Sequence, residues 1–243
     1  MRVTRVYVEQ RLAPGARLWV GGATANHLAR VLRLAPGAAL TVFDGHGGEY
    51  EARIAELRKG QVQLALGERH GIERESPLEI VLAQGISRAE RMDLVVQKAT
   101  ELGVARIAPV ITERSVVRLD ARQAEKRLRH WQAIAIAACE QCGRNRLPQI
   151  AAPQPLAALL GEPAGSIRRL VLSPAATLRV RDVRPADSPL QLLIGPEGGL
   201  SDAEHAAALA AGFRALQLGP RILRTETAAL AALAALQQAH GDL

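Results

Sequence analysis

Aromatic side chains are scarce in this 243-residue sequence, which has two each of phenylalanine, tyrosine and tryptophan. Proteins that bind single-stranded nucleic acid without sequence preference stack successive bases on aromatic rings. We therefore expect no stacking platform of that kind. Any contact with a nucleic acid should be made mainly to phosphate groups, by arginine side chains.

Long apolar runs are also missing, apart from an alanine-rich segment around residue 230 that lacks the bulk of a membrane span. A helix that crosses the hydrocarbon core of a bilayer needs about 20 consecutive, predominantly apolar residues. The sequence begins Met1-Arg2-Val3-Thr4-Arg5, without the apolar region of an export signal. These features predict a cytoplasmic protein.

The only cysteines, Cys139 and Cys142, form one Cys-x-x-Cys pair. A structural zinc site needs four ligands, and no second cysteine pair or His-x-His cluster accompanies this one. A thioredoxin-like redox pair opens a helix after a strand, whereas residues 133–140 have the pattern of a helix interior. We predict no metal site here, and two small helix residues without chemistry.

The formal net charge is +7, which suggests an anionic partner such as nucleic acid. A bias towards arginine and alanine could also reflect a GC-rich coding sequence. The spacing of Arg118, Arg122 and Lys126 puts three cations on one helical face. That face is either an RNA-binding surface or a solvated one, with Asp120 and Glu125 as partners.

The first 70 residues alternate polar and apolar side chains in short runs between glycine-rich turns, the pattern of a small β-barrel. Between these runs, residues 24–34 predict a short amphipathic helix that Thr24 caps. Leu28, Val31 and Leu32 should face inward. Arg30 and Arg33 should face outward, as solvated residues or as a phosphate-binding edge.

The alternation of polar and apolar side chains ends at a charged, turn-prone stretch, residues 71–77. We therefore predict two domains, 1–72 and 73–243. In the second domain strands alternate with helices, which predicts an α/β fold with a parallel sheet. The strands are expected at 78–84, 105–111, 169–172, 190–194 and 213–218, and the main helices at 88–102, 120–141 and 225–239.

The last helix carries no charge from Ala228 to Leu236. Its burial could come from the domain core or from a second subunit, and we favour a homodimer.

Two glycine-bearing segments, 195–201 and 218–228, follow the last two predicted strands. Ligands of open parallel sheets bind at the carboxyl ends of strands, so the two segments predict one bipartite site. The usual fingerprints Gly-x-Gly-x-x-Gly, Gly-x-x-x-x-Gly-Lys-Ser/Thr, Gly-x-Ser-x-Gly and His-Glu-x-x-His are absent. Their absence removes the usual support for nucleotide-binding, hydrolase and metalloenzyme functions.

Taken together, Gly195-Pro196-Glu197-Gly198-Gly199 and the run from Leu218 to Thr227 resemble a SPOUT-superfamily methyltransferase. The resemblance is specifically to the RsmE family of 16S ribosomal RNA uridine-N3 methyltransferases. It covers nearly the whole chain. Residues 27–34 and 42–45 resemble the PUA-like RNA-binding barrel of that family, and the matching motifs of the middle part are 98–104, 112–116 and 138–144.

The resemblance implies a parallel sheet with a C-terminal trefoil knot, and a bent S-adenosylmethionine held largely by backbone groups at a homodimer interface. The implied substrate is a uridine in the decoding region of 16S rRNA within the 30S subunit. The implied product is 3-methyluridine, with S-adenosylhomocysteine released. Carried over by position, the cofactor-binding residues are Leu172, Ile194, Gly195, Pro196, Gly199, Leu218, Gly219, Ile222, Leu223 and Thr227.

The implied reaction removes the proton of uracil N3 and creates negative charge on the uracil. Arg224 is our candidate for stabilising that charge. Glu197 or Glu226 could accept the proton if burial raised its pKa. The predicted RNA phosphate contacts are Arg2, Arg5, Arg30, Arg33, Arg114 and Arg144.

Two alternatives remain at this point. One is another knotted RNA methyltransferase with a different target. The other is an RNA-binding ribosome-assembly factor without catalysis, which the intact glycine-bearing segments disfavour.

Overall fold

A computed structural model describes residues 3–117, 119–183 and 189–243. The contacts divide the chain into two compact units. The first contains the residues up to Glu75 together with Cys139–Leu147, and the second contains Ser76–Ala138 and Pro148–Leu243. The sequence had not predicted that a segment from the middle of the chain groups with its beginning.

The first unit contains a five-stranded mixed sheet in the order β1-β3-β4-β5-β2. Its strands are β1 (Arg5–Tyr7), β2 (Arg17–Val20), β3 (Ala39–Phe43), β4 (Glu49–Arg58) and β5 (Gln61–His70). β1 pairs with β3 in parallel and the other ladders are antiparallel. Alternate side chains of these strands, such as Val42, Ile54 and Leu64, form an apolar core.

The helical segment of this unit differs from the amphipathic helix that we predicted. α1 (Gly22–Asn26) is followed by a π-helical turn, His27–Val31, in which the Leu32 amide donates to the carbonyl of His27. A π turn bonds residues five apart, so the 3.6-residue spacing no longer places Leu28, Val31 and Leu32 on one face. Leu28 is buried, whereas Val31 is 63% exposed and Leu32 37% exposed. The N-cap position belongs to Gly21, and Thr24 lies inside the helix.

The second unit contains an all-parallel sheet in the order β11-β13-β10-β12-β6-β7-β8, with β9 beside β7. The strands are β6 (Ile80–Gly85), β7 (Arg106–Ile111), β8 (Gln149–Ile150), β9 (Gln154–Pro155), β10 (Arg168–Leu172), β11 (Leu178–Arg179), β12 (Leu190–Ile194) and β13 (Arg214–Gln217). Every residue of β6 and β12 is buried, as expected for central strands covered on both faces.

Five described helices alternate along the chain with the strands of the parallel sheet. They are α2 (Ala89–Glu101), α3 (Ala121–Cys142), α4 (Leu156–Gly161), α5 (Asp202–Ala210) and α6 (Thr225–His240). α6 buries Ala229, Ala232, Leu233 and Leu236 in the core. Its Leu230 is only half-buried, so the domain core covers part of the uncharged surface. In the described part of the chain, no helix has both the length and the apolar character of a bilayer span.

Candidate cofactor and RNA site

A cavity of about 820 Å³ lies at the carboxyl edge of the parallel sheet. β10, β12 and β13 run in the same direction, so the loops that follow them leave at this edge. All three loops line the cavity, and the lining includes Ser173 after β10, Gly195 after β12 and Leu218 after β13. The site therefore forms where the sequence predicted a bipartite one, with the β10 loop as a further component.

The first wall, residues 194–200, folds tightly back on itself. A Cβ atom on Gly195 would lie 2.8 Å from the backbone nitrogen of Leu200, so a larger residue has no room. Gly199 has a φ of +70°, which glycine adopts readily and other residues rarely adopt. Ser201 then caps α5, because its hydroxyl accepts a hydrogen bond from the Glu204 amide at 3.2 Å. These contacts hold the wall in one shape.

The second wall, residues 218–224, is followed by Thr225, which links it to the first wall. The Thr225 hydroxyl donates to the carbonyl oxygen of Gly195 at 2.6 Å. Nε2 of the buried Gln84 donates to the Thr225 hydroxyl at 2.9 Å and to the Gly85 carbonyl at 3.0 Å. Residues from β6, from the loop after β12 and from α6 thus meet at one point.

The structure brings nine of the ten predicted cofactor residues to the cavity. These are Leu172, Ile194, Gly195, Pro196, Gly199, Leu218, Gly219, Ile222 and Leu223. Ile222 is 85% exposed, so the second wall is open to solvent at this point. Thr227 is exposed and does not line the cavity, whereas Thr225, two residues earlier, does.

Arg224 and Glu197 both line the cavity. Burial acts to raise the pKa of Glu197, but hydrogen bonds from the Arg88 amide and its own amide, with the charges of Arg91 and Arg88, lower it overall. The role of proton acceptor was predicted on the condition that burial raised the pKa, and Glu197 does not meet that condition. Glu226 is not among the lining residues, and its carboxylate lies 3.9 Å from Nε of Arg91.

Of the predicted RNA-binding arginines, Arg30 and Arg33 are exposed in the first unit. Arg33 has a φ of +51°, the one described non-glycine residue with a positive φ. Arg114 lines the cavity, and its guanidinium donates to the carbonyl of Gly198 at 3.2 Å. Arg2 lies outside the described residues.

Arg5 and Arg144 are engaged inside the first unit, which argues against their predicted phosphate contacts. Arg5 lies 2.5 Å from a Glu49 carboxylate oxygen, donates to Asn145, and has a side chain 9% exposed. The guanidinium of Arg144 is 4% exposed and binds both carboxylate oxygens of Glu75. Their charges are already paired, and exposing them to a phosphate would break buried ion pairs.

Several residues around the cavity were not predicted. Arg91 and His205 line it, from α2 and α5 respectively, and Gln84 supports it from below. Gln84 could have been identified from the sequence, because it is a polar residue within an otherwise apolar strand. The loop that starts at Ser173 could also have been found, since it follows the carboxyl end of a predicted strand.

The two cysteines lie at the carboxyl end of α3. A hydrogen bond with Cys142, together with burial, raises the pKa of Cys139, so its thiol stays protonated. A protonated, buried thiol is neither a metal ligand nor a nucleophile. Within the described ranges, no group of three or more His, Cys, Asp or Glu side chains could hold a metal ion.

Comparisons with known proteins agree with this architecture. The family described as RNA methyltransferase domain matches residues 74–237, and the one described as RNA methyltransferase PUA domain matches residues 20–66. The ribosomal RNA small subunit methyltransferase E of Buchnera aphidicola (from Schizaphis graminum) is 33% identical over 242 residues, covering 100% of this chain and 98% of that protein.

Solved structures show the same similarity. The ribosomal RNA small subunit methyltransferase E of Neisseria gonorrhoeae, solved bound to S-adenosylmethionine, has a TM-score of 0.93 and 39% identity, with 100% of both chains covered. A proposed methyltransferase from Legionella pneumophila, solved with the same cofactor, has a TM-score of 0.95 and 43% identity, again with complete coverage. The α/β methyltransferase fold and the PUA-like domain that we predicted are confirmed, and the knot remains a prediction. This chain belongs to the RsmE family of ribosomal RNA small subunit methyltransferases.

Proposed function

We propose that this protein transfers a methyl group from S-adenosylmethionine to N3 of one uridine in the decoding region of 16S rRNA, within the small ribosomal subunit. The observation that carries the proposal is the two-walled cavity at the carboxyl edge of the sheet, in a chain of the RsmE family. Two relatives with the same fold were solved with this cofactor bound.

The cavity fits the proposed cofactor in size and in chemistry. Its volume of about 820 Å³ is within the usual range for small-molecule sites, roughly 300–1,000 Å³. Leu172, Leu218 and Leu223 offer apolar surface for an adenine ring and a methionine chain. Gly195 and Gly199 bring the backbone close to the cavity, so that amide and carbonyl groups can recognise the polar edge of the adenine.

S-adenosylmethionine, when bound, supplies an electrophilic methyl group on a sulfonium. The chain must hold the uracil in line with that methyl group and tolerate the negative charge left when N3 loses its proton. Arg224 lines the cavity at the end of the second wall. Its guanidinium can stabilise that charge on a uracil oxygen, and we assign it this role.

Neither predicted carboxylate suits the role of proton acceptor. A lowered pKa makes Glu197 a weaker base, because a base is most effective with a pKa near the working pH. Glu226 is not among the cavity-lining residues. We propose that the proton leaves to solvent through the open side of the second wall, while Arg224 holds the uracil anion.

For the RNA, we propose phosphate contacts from Arg30 and Arg33 on the first unit and from Arg114 beside the cavity.

For the assembly, we propose a cytoplasmic homodimer. Leu230, Ala231 and Ala234 of α6 are only half-buried, and small apolar side chains allow two helices to approach closely. A second copy packed there would complete the burial of this helix.

The test is incubation of the protein with labelled S-adenosylmethionine and either small ribosomal subunits or naked 16S rRNA. Mass spectrometry then identifies the modified nucleoside and its position. We expect 3-methyluridine in the decoding region. Another methylated nucleoside would identify a different RNA methyltransferase, and calorimetry without any heat of cofactor binding would favour a non-catalytic assembly factor.

A further inference from the structure

One guanidinium lies near two acidic side chains, one in the first wall of the cavity and one directly after the second wall. Arg91 lies in the first turn of α2, and its Nη1 is 3.2 Å from Oε1 of Glu197 in the first wall. Its Nε is 3.9 Å from Oε1 of Glu226, in the first turn of α6 directly after the second wall. Arg91 itself lines the cavity.

The environment of these groups strengthens their interaction. The side chains of Glu197 and Glu226 are only 17% and 12% exposed, and that of Arg91 is 36% exposed. Charges that are partly removed from water are screened less than charges at a fully exposed surface. The pairing should therefore contribute more than an ordinary surface ion pair.

The contact with Glu226 leaves hydrogen-bonding capacity unused. At 3.9 Å, the Arg91 to Glu226 pair is too long for a hydrogen bond. Oε2 of Glu197 and Oε2 of Glu226 are both buried and have no hydrogen-bond partner among the described residues. A small movement of the two walls towards each other would let the five donors of one guanidinium serve both carboxylates.

We propose that Arg91 is a positioning residue of the cofactor site, which holds the two walls at the spacing that S-adenosylmethionine requires by pairing with Glu197 and Glu226 together. The inference rests on the proposed function, since it assumes that the cavity binds this cofactor. Arg91 acts through the two carboxylates and the segments that carry them, the first wall and the first turn of α6, not through the reacting atoms.

The pH dependence of cofactor binding separates this role from a general contribution to folding. Arg91 and Arg88 are the charged groups that act on Glu197, and Arg91 also pairs with Glu226. Burial acts to raise the pKa of Glu197, and the surrounding amides and arginine charges outweigh it. The pairing exists only while Glu197 is charged, so the affinity of the wild type should decline as the pH falls through the lowered pKa of Glu197. An Arg91→Met variant has no pairing to lose, so its affinity should depend less on pH.

The experiment is calorimetric titration with S-adenosylmethionine between about pH 3.5 and pH 7, on the full chain, because Glu197 titrates below its ordinary pKa of 4.5. We expect Arg91→Met to bind about tenfold more weakly at neutral pH, and we expect this difference from the wild type to narrow as the pH falls. Arg91→Lys should restore most of the affinity, because it keeps the charge. Lys98→Met is the matched control, since Lys98 lies on the same helix and pairs with Glu101. It should bind as the wild type does.

The outcomes are distinguishable. A wild type that does not bind the cofactor overturns the proposed function. A wild type that binds, with Arg91→Met equal to it in affinity and pH profile, overturns the role of Arg91. Weaker binding that Arg91→Lys does not restore, with no change in the pH profile, also overturns it. If Arg91→Met does not fold, Glu226→Gln decides: weaker binding supports the proposal, and unchanged binding refutes it.

Discussion

Thr225 donates a hydrogen bond from its hydroxyl to the carbonyl oxygen of Gly195 over 2.6 Å, across 30 residues of sequence. The same hydroxyl accepts a hydrogen bond from Gln84. Both walls of the cavity therefore depend on one threonine side chain. The bond is short and partly buried, and its geometry should be sensitive to any change at position 225.

We expect Thr225→Val to weaken S-adenosylmethionine binding and to destabilise the fold by about 1–3 kcal/mol. The substitution keeps the shape of the side chain but removes the donor to the Gly195 carbonyl and one of the two acceptors of the Gln84 amide nitrogen. Calorimetry and urea denaturation measure the two effects. Thr177→Val is the control, since Thr177 is exposed and outside the cavity lining. Wild-type affinity in Thr225→Val would refute the link between the walls.

Gly195→Ala should reduce cofactor affinity by about tenfold or more while the protein stays folded. The added methyl group would lie 2.8 Å from the Leu200 nitrogen, so the loop must shift, and overpacking typically costs about 1–3 kcal/mol. Gly161→Ala is the matched control, because a Cβ atom there meets open space. Equal affinities of the two variants would contradict the tight fold of the first wall.

The double variant Arg30→Ala, Arg33→Ala should reduce the salt dependence of RNA binding. Each lost phosphate contact lowers the slope of log K against log salt by about 0.7–0.9. Both side chains are exposed, so the fold should be unaffected. Filter binding or fluorescence anisotropy over a range of salt concentrations measures the slope. An unchanged slope would exclude these two arginines from the RNA-binding surface.

Arg5, unlike Arg30 and Arg33, is buried in an ion pair with Glu49, and this pair should make the stability of the fold depend on pH. Burial acts to raise the pKa of Glu49, but hydrogen bonds from Arg5, Asn145 and Arg74 and the charge of Arg5 lower it overall. The resulting stabilisation is complete above the ordinary pKa of 4.5 and is lost as the pH falls through the lowered value. Arg5→Met should reduce this pH dependence and cost about 1.5–3 kcal/mol, because the Glu49 carboxylate loses a charged hydrogen-bond donor and keeps only Arg74 and Asn145.

Urea denaturation at several pH values tests this expectation. The salt slope of RNA binding, measured where the variant is folded, should equal that of the wild type. A reduced slope would mean that Arg5 binds phosphate, and that its pairing with Glu49 opens in the complex.

The strands that form the site could be predicted because a buried parallel strand is a short, uninterrupted apolar run. Leu190–Ile194 was predicted with the bounds that the structure shows. The π-helical turn at His27–Val31 could not, because one extra residue in a turn leaves no mark on the composition. The role of Arg5 was also hidden, since its partner Glu49 lies 44 residues away. The sequence shows which side chains are charged, but not which distant residues they pair with in the fold.

The meeting of Gln84, Gly195 and Thr225 has a consequence for how the protein is made. Gln84 and Thr225 are 141 residues apart, and a ribosome produces the chain from its amino terminus. The early strands of the sheet therefore emerge well before α6 can close the cavity. During synthesis the second unit passes through a stage with most of its sheet but no cofactor site, so loading with S-adenosylmethionine must follow the emergence of α6.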